Sequence, residues 1–281
     1  MKNTLLAGLV FVVVCMAAFP CYPVEVKVFP PFVLSPLPHE ALLFSPLTDF
    51  TAVYAPEESK VYMQMGVGGK LTALLLTFDN GLAMSTGGFA FVYSLFDLFS
   101  DSFNDITADY RLGGFADVLF GSFLGEVFVS HTSSHVGDDL LWLTSPPRIN
   151  IGYEAVRAYV SYRAFDLATL SLGVDYKFGR RPLDLIFYDT AFLAAVRVEL
   201  APLSVPLFLD CEMELPGFFY TPSFGAKVGI HLDLFRQQDR NRLAPYPHHE
   251  AYIGYYNGYS QRGYFYSRRE QLLTAGFAYR I

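Results

Sequence analysis

Beyond Cys21, this chain lacks any apolar run long enough to cross a membrane as a helix, which needs about 20 predominantly apolar residues. The nearest approach, Thr190 to Leu209, is interrupted by two charged residues and two prolines: Arg197, Glu199, Pro202 and Pro206. Yet 52% of the residues are hydrophobic and 17% are aromatic. This combination excludes a bundle of membrane helices and favours strands whose alternate side chains face lipid.

Cysteine and positive charge are also scarce. The chain has three cysteines, and because Cys15 and Cys21 fall in the N-terminal leader described next, Cys211 stands alone. No disulfide framework is therefore expected. The net charge of −7 makes nucleic acid an unfavourable partner.

The first residues have the pattern of a secretory signal peptide. Lys2 precedes an apolar run over residues 5–19 that is too short to span a membrane comfortably. We predict a signal peptide over residues 1–21. An uncleaved anchor or a buried strand is the alternative, and a lipid anchor on Cys21 would need a small residue in place of Pro20.

The last residues form a predicted strand, since apolar side chains alternate from Leu273 to Ile281. A soluble domain rarely ends on such an edge strand, whereas the last strand of a closed membrane barrel pairs with the first. Bacterial barrel-insertion machinery recognises such terminal strands and is a predicted partner. We therefore predict a proline-rich arm over residues 22–46 and an all-β, closed antiparallel outer-membrane barrel over residues 47–281. Its last strand, Gln271–Ile281, should pair with the first membrane strand, near Lys60–Phe78.

Alternation and turn signals divide the chain after Lys60 into eleven strand-like segments. They are Lys60–Phe78, Ala83–Leu98, Ile106–Phe120, Phe123–His135, Ile149–Tyr162, Leu167–Phe178, Leu185–Leu200, Pro206–Leu215, Ser223–Phe235, Glu250–Ser260 and Gln271–Ile281. Bacterial barrels have an even strand number. We predict twelve strands, with ten as the alternative, and place the twelfth in Leu43–Ala55 or within the first segment.

Loop lengths predict the orientation, because outer-membrane barrels keep short turns on the periplasmic side. The short turns are Asp79–Gly81 and Gly121–Ser122. The longer loops Ser100–Asp105, Val136–Pro147 and Arg236–His249 are expected on the outer side.

One segment carries candidate chemistry. Residues 128–139 have the sequence Phe-Val-Ser-His-Thr-Ser-Ser-His-Val-Gly-Asp-Asp. On a strand, side chains two residues apart share a face, so His131 and Ser133 lie with valines on a predicted lipid-facing side. Glu126 and Ser130 lie on the opposite side and suit a polar lumen. A polar pair facing lipid is costly unless it has a role.

The following segment offers a third polar group on the same outer face, either Glu154 or Asn150. A serine nucleophile needs a base within hydrogen-bond reach, and the base needs an orienting partner. Ser133, His131 and one of these two residues fit the three roles.

Two other interpretations of this segment stay open. In the first, the polar side chains form a structural rim network that holds the loop over residues 136–147. Alternatively, His135, Asp138 and Asp139 form a metal site, and the two carboxylates suit calcium.

The same residues carry a family resemblance. His131–Asp139, preceded by Asp105–Arg111 and followed by Arg148–Glu154, resembles the uncharacterised outer-membrane family known as domain of unknown function 1207. Ser45–Asp49 and Gly258–Tyr266 also fit it, so the resemblance covers most of the chain after the leader. The family usually has Glu at position 139 and Leu at position 136, where this chain has Asp and Val. The resemblance implies a barrel and no established activity.

A second, local resemblance is to outer-membrane phospholipase A and the lipid A deacylases. These barrels hydrolyse acyl esters with a His-x-Ser pair on an outward-facing strand, which matches His131 as base and Ser133 as nucleophile. Glu154 or Asn150 matches the orienting residue, although Glu154 lies farther along the chain than those enzymes usually place it. The resemblance implies membrane lipid, including outer-leaflet lipopolysaccharide, as partner.

The sequence thus predicts an outer-membrane barrel, with hydrolysis of acyl esters of membrane lipid as the most specific hypothesis for its activity. The alternative is a barrel without enzymatic activity, either a small pore or a structural surface protein.

Overall fold

A computed structural model describes residues 24–28, 48–100, 103–137, 151–164, 167–181, 189–200, 206–217, 221–232, 248–260 and 268–280. The predicted signal peptide lies outside these residues. Among the described residues, no helix has the length and apolar character needed to cross a membrane.

The described residues form a closed antiparallel barrel of twelve strands with one additional strand, which confirms the predicted fold. The additional strand is β1, Val24–Val28, and the barrel strands are β2 Thr48–Ala55, β3 Lys60–Phe78, β4 Leu82–Asp97, β5 Asn104–Phe120, β6 Phe123–Val136, β7 Ile151–Ala164, β8 Ala168–Arg181, β9 Thr190–Leu200, β10 Leu207–Pro216, β11 Ser223–His231, β12 His248–Tyr259 and β13 Arg269–Arg280. Each barrel strand pairs with the next, and β13 pairs with β2. The ring therefore has no open edge.

Strand β2 closes the barrel and is the twelfth strand that an even count requires. It lies within Leu43–Ala55, one of the two places predicted for it. The last strand pairs with the first barrel strand, as predicted, but that strand is β2 and not Lys60–Phe78, because β2 lies between β13 and β3. Phe277 is opposite Phe50, and Phe50 is in turn opposite Met65.

Strand β1 lies outside the ring and belongs to the predicted proline-rich arm. It pairs with the last five residues of β3, from Val24 opposite Phe78 to Val28 opposite Leu74. β2 pairs only with residues 60–67 of β3. β1 therefore covers a part of the β3 edge that β2 does not reach.

Side chains alternate between the lumen and the outer surface, as strand β6 shows. Glu126 and Phe128 are buried, whereas Val127 and Val129 are exposed. Large apolar side chains are exposed all around the barrel, among them Leu112, Leu172, Ile253 and Phe277, each more than 60% exposed. A closed hydrogen-bonded ring with an apolar outer surface is what the hydrocarbon core of a membrane requires. The chain is therefore a membrane-spanning barrel.

The lumen is filled by aromatic and paired charged side chains. Six buried aromatic residues of β4 to β7 form one cluster, and Leu193 of β9 packs against it: Phe89, Phe91, Tyr93, Phe115, Phe128 and Tyr159. Beside them, the Lys70 ammonium lies 3.1 Å from Asp117 and 3.8 Å from Glu126. All three of these charged side chains are almost fully buried, so this layer of the lumen is packed with side chains.

This filled layer predicts that the barrel does not conduct ions freely. In planar bilayers the wild-type protein should give no long-lived conductance steps, because a through-path would require the aromatic cluster to open. A wide general porin inserted in the same bilayers serves as the positive control. Stable, large steps from the folded protein would show that the lumen is open.

Four of the five connections assigned from loop length divide between the two ends of the barrel as predicted. The turns at Asp79–Gly81 and Gly121–Ser122 lie at the end where β13 finishes, and β4–β5 and β6–β7 are connected at the other end. Gly81 and Gly121 have φ of 82° and 56°, values that favour glycine in such tight turns.

The prediction for Arg236–His249 is wrong. β11 ends and β12 begins at the same end as the short turns, since His248 is opposite Arg280 at the end of β13. This connection therefore leaves from the end predicted to be periplasmic. Loop length misled the prediction, because strand parity and not length fixes the end of the barrel at which a connection lies.

Candidate active site

The polar side chains singled out in the sequence lie on the outer surface, in two rows that cross strands β5 to β8. The first row is Leu112, His131, Glu154 and Phe178, and the second is Tyr110, Ser133, Gly152 and Arg181. Residues directly opposite each other in a sheet share a face. The two rows therefore bring the predicted base, nucleophile and orienting residue together on one exposed surface.

His131 and Glu154 form a direct pair across strands β6 and β7. The imidazole Nδ1 lies 2.9 Å from the Glu154 Oε1, and the two side chains are 55% and 42% exposed. An ionised carboxylate only accepts hydrogen bonds, so Nδ1 carries the proton and donates the hydrogen bond to Glu154. This tautomer leaves Nε2 of the neutral ring with a lone pair, which is the state a general base needs.

Ser133 lies between two histidines on the same strand and forms a hydrogen bond with His135. Its Oγ is 2.9 Å from Nε2 of His135. The His135 ring in turn packs edge-on against Tyr110, with 5.8 Å between the ring centroids. The two-residue spacing from Ser133 to His135 puts both side chains on one strand face, so the sequence already singles out this pair.

Two glycines leave space around these side chains. A Cβ added to Gly152 would lie 3.7 Å from Cε1 of His131, so the imidazole lies beside the backbone opposite Ser133. A Cβ on Gly179 would approach the Glu154 Cγ to 3.2 Å, and Gly179 has φ of 61°. A side chain at Gly179 would therefore crowd Glu154, whereas a Cβ at Gly152 would make an ordinary contact with the imidazole.

The site lies near one edge of the apolar band. At the end with the short turns, the outer surface carries Phe123 packed on Tyr162, with 4.8 Å between the ring centroids. The ten-residue step along β6 from Phe123 to Ser133 corresponds to roughly 25 Å for a tilted strand, close to the height of an outer-membrane apolar band. Tyr110, which lies directly opposite Ser133 on β5, is about half exposed. The candidate site therefore lies at the interface on the side opposite the short turns.

The structure leaves part of the predicted site undescribed. Asn150, Asp138 and Asp139 lie outside the described residues, so the metal site predicted with His135 stays a prediction. Within the described ranges, no group of three or more His, Cys, Asp or Glu side chains is placed to hold a metal ion.

Comparisons with known proteins support the barrel and leave the activity open. A family model described as "Protein of unknown function (DUF1207)" matches residues 65–281. No curated protein matches the sequence.

Two solved structures have a similar fold. Outer membrane phospholipase A from Escherichia coli is 13% identical, with 88% of this chain and 97% of that chain covered and a TM-score of 0.54. The Salmonella typhi outer membrane phospholipase, a dimer with bound calcium, is 13% identical, with 86% and 94% covered and a TM-score of 0.53. At these identities the likeness shows the fold alone. It agrees with an outer-membrane location for the barrel.

Proposed function

Since the chain belongs to the DUF1207 family, whose function is unknown, we propose from its own outer-surface site that it hydrolyses acyl esters of membrane lipid. The observation that carries the proposal is the His131–Glu154 hydrogen bond beside Ser133 on a surface that faces lipid. The site lies at the interface, where lipid headgroups meet the hydrocarbon core, so membrane lipid can reach these side chains.

The proposed reaction has two steps. Oγ of Ser133 attacks the ester carbonyl while Nε2 of His131 takes the hydroxyl proton, and the carbon–oxygen bond to the alcohol breaks as the proton passes to the leaving oxygen. Water then attacks the acyl-serine with the same histidine as base, which releases the fatty acid and restores Ser133. Glu154 is a positioning residue, since it holds the ring and stabilises the imidazolium that forms.

The described side-chain arrangement requires one movement. Ser133 is bonded to His135, and rotation about its χ1 turns the hydroxyl toward His131, because both imidazoles lie on the same face two residues away. His135 is the competing base in this arrangement. Its ring has no described carboxylate partner, whereas His131 is held by Glu154, which favours His131.

The proposal includes a calcium ion bound by Asp138 and Asp139. The carboxylates of Asp138 and Asp139 follow β6 directly in the sequence, and carboxylate oxygens are ligands that calcium prefers. The similar Salmonella typhi phospholipase was solved with bound calcium. A cation near Ser133 would stabilise the negative oxygen of the tetrahedral intermediate.

The direct test is fatty-acid release by the purified full-length protein from phospholipid in mixed micelles, with calcium and with a chelator. The proposal predicts release under at least one of the two conditions. If the folded barrel releases no fatty acid under either, catalysis is wrong and the polar cluster is a structural rim network.

Glu154 gives a graded prediction. Glu154→Ala should lower kcat about 10²-fold, the scale of general acid–base catalysis, because the ring loses both its orientation and its charge partner. Glu154→Gln should lower kcat less, since its amide oxygen still accepts a hydrogen bond from Nδ1–H of His131. KM should change little in both variants, as measured with the micellar substrate. A higher KM with an unchanged kcat would instead indicate a role in lipid binding.

A further inference from the structure

Arg181 is an exposed cation in the same row as Ser133, with only a glycine between them. Ser133 is opposite Gly152 on one side, and Gly152 is opposite Arg181 on the other. Adjacent strands lie about 4.8 Å apart, so the two Cα atoms are separated by two strand spacings. Because Gly152 has no side chain, the surface between the serine hydroxyl and the arginine is clear.

A bulge in β8 places Arg181 on the outer face. Tyr176 and Phe178 point outward and stack with 6.0 Å between their ring centroids, so strict alternation would direct residue 181 into the lumen. The register shifts between Gly152 and Glu154, where Phe178 and Arg181 are three residues apart on the partner strand. Gly179, with φ of 61°, supplies the conformation that such a bulge requires.

Arg181 also differs from the neighbouring arginine in its partners. Arg180 forms an ion pair with Asp189, whereas Arg181 has no hydrogen bond or ion pair with the described residues. Because Arg181 has no carboxylate partner among the described residues, its guanidinium can bind an anion, and its planar donors match phosphate oxygens in a bidentate geometry.

We propose that Arg181 binds the phosphate of the lipid whose ester bond lies over Ser133, so that the site takes phosphate-bearing acyl lipids. This inference rests on the proposed hydrolase function and names its substrate class. The ester and phosphate of one lipid are separated by a short glycerol or sugar unit, which suits the two strand spacings between Ser133 and Arg181. The stacked Tyr176 and Phe178 lie beside Arg181 on the same surface, where they contact the lipid at the level of its headgroup.

Binding without turnover tests this inference separately from catalysis. The Ser133→Ala protein in a nonionic detergent is titrated with dioleoylphosphatidylglycerol, diphosphoryl lipid A or dioleoylglycerol, and bound lipid is counted by native mass spectrometry. Arg181→Gln in this background should weaken binding of at least one phosphate lipid about tenfold, the loss expected for one charge-assisted pair. The lipid that responds identifies the source of the phosphate.

Two controls decide the outcome. Lys60→Gln makes the same charge change on β3, on another part of the barrel, and should leave lipid binding unchanged. Dioleoylglycerol has no phosphate, so its binding should not respond to Arg181→Gln. The inference is overturned if Arg181→Gln binds both phosphate lipids as the parent does, or if Lys60→Gln weakens them equally. These results stand even if the wild-type protein releases no fatty acid.

Discussion

Ser133→Ala should lower the rate of fatty-acid release by about 10⁴-fold or more, while the barrel stays folded. The hydroxyl lies on the outer surface and contributes no packing to the lumen, so its loss leaves the fold intact. The rate is measured on phospholipid in mixed micelles, and folding by the heat-modifiable mobility of the barrel in electrophoresis.

Matched histidine variants identify the base. His131→Ala should be about as inactive as Ser133→Ala, and the double variant no worse than either, because nucleophile and base act as a unit. His135→Ala should retain most of the activity. If His135→Ala is the inactive variant and His131→Ala is active, the Ser133–His135 bond is the catalytic pair and the assignment of His131 is wrong.

Arg197→Met should destabilise the barrel by about 3–5 kcal/mol, because it removes the cation from a buried cluster of carboxylates. The guanidinium lies 2.6 Å from Glu199, 3.3 Å from Asp210 and 2.6 Å from Glu250, and its centre is 4.5 Å from the Phe208 ring centroid. Glu250 is fully buried. Methionine keeps much of the apolar stem and leaves the carboxylates without this partner. The free energy of unfolding is measured by urea titration in lipid vesicles.

Arg268→Met is the control for this change. Arg268 pairs with Glu58 near the other end of the barrel, and its side chain is 46% exposed. Exposed pairs contribute about 0–1 kcal/mol, so this variant should unfold at nearly the wild-type urea concentration. Similar destabilisation by both variants would mean that the buried cluster around Arg197 has no special role in stability.

Much of the fold follows from alternation along single strands. In β6, valines alternate with Glu126 and Ser130, and this pattern alone separates the lipid side from the lumen and places His131 and Ser133 outside. The apolar period of the last strand likewise predicts a closed ring. These features are local, because a strand's two faces are fixed by its own sequence.

Features that depend on pairing between strands could not be predicted in the same way. The eight-residue β2 is short and follows a proline-rich segment, so its place beside β13 depends on closure of the ring. The end of the barrel at which β11 finishes and β12 begins depends on how many strands precede them. The position of His131 opposite Glu154 depends on the register of β6 and β7, which are joined by a long loop that does not fix it. At Arg181, the bulge at Gly179 reverses the face that alternation predicts.

Covalent labelling shows whether Ser133 is a nucleophile on the lipid-facing surface. The folded wild-type protein is treated with a fluorophosphonate in mixed micelles, with and without calcium, and the modified peptide is located by mass spectrometry. We expect one adduct on Ser133 that forms much more slowly in His131→Ala and is absent from Ser133→Ala. A folded wild-type protein that acquires no adduct on Ser133 under either condition would contradict this role of Ser133.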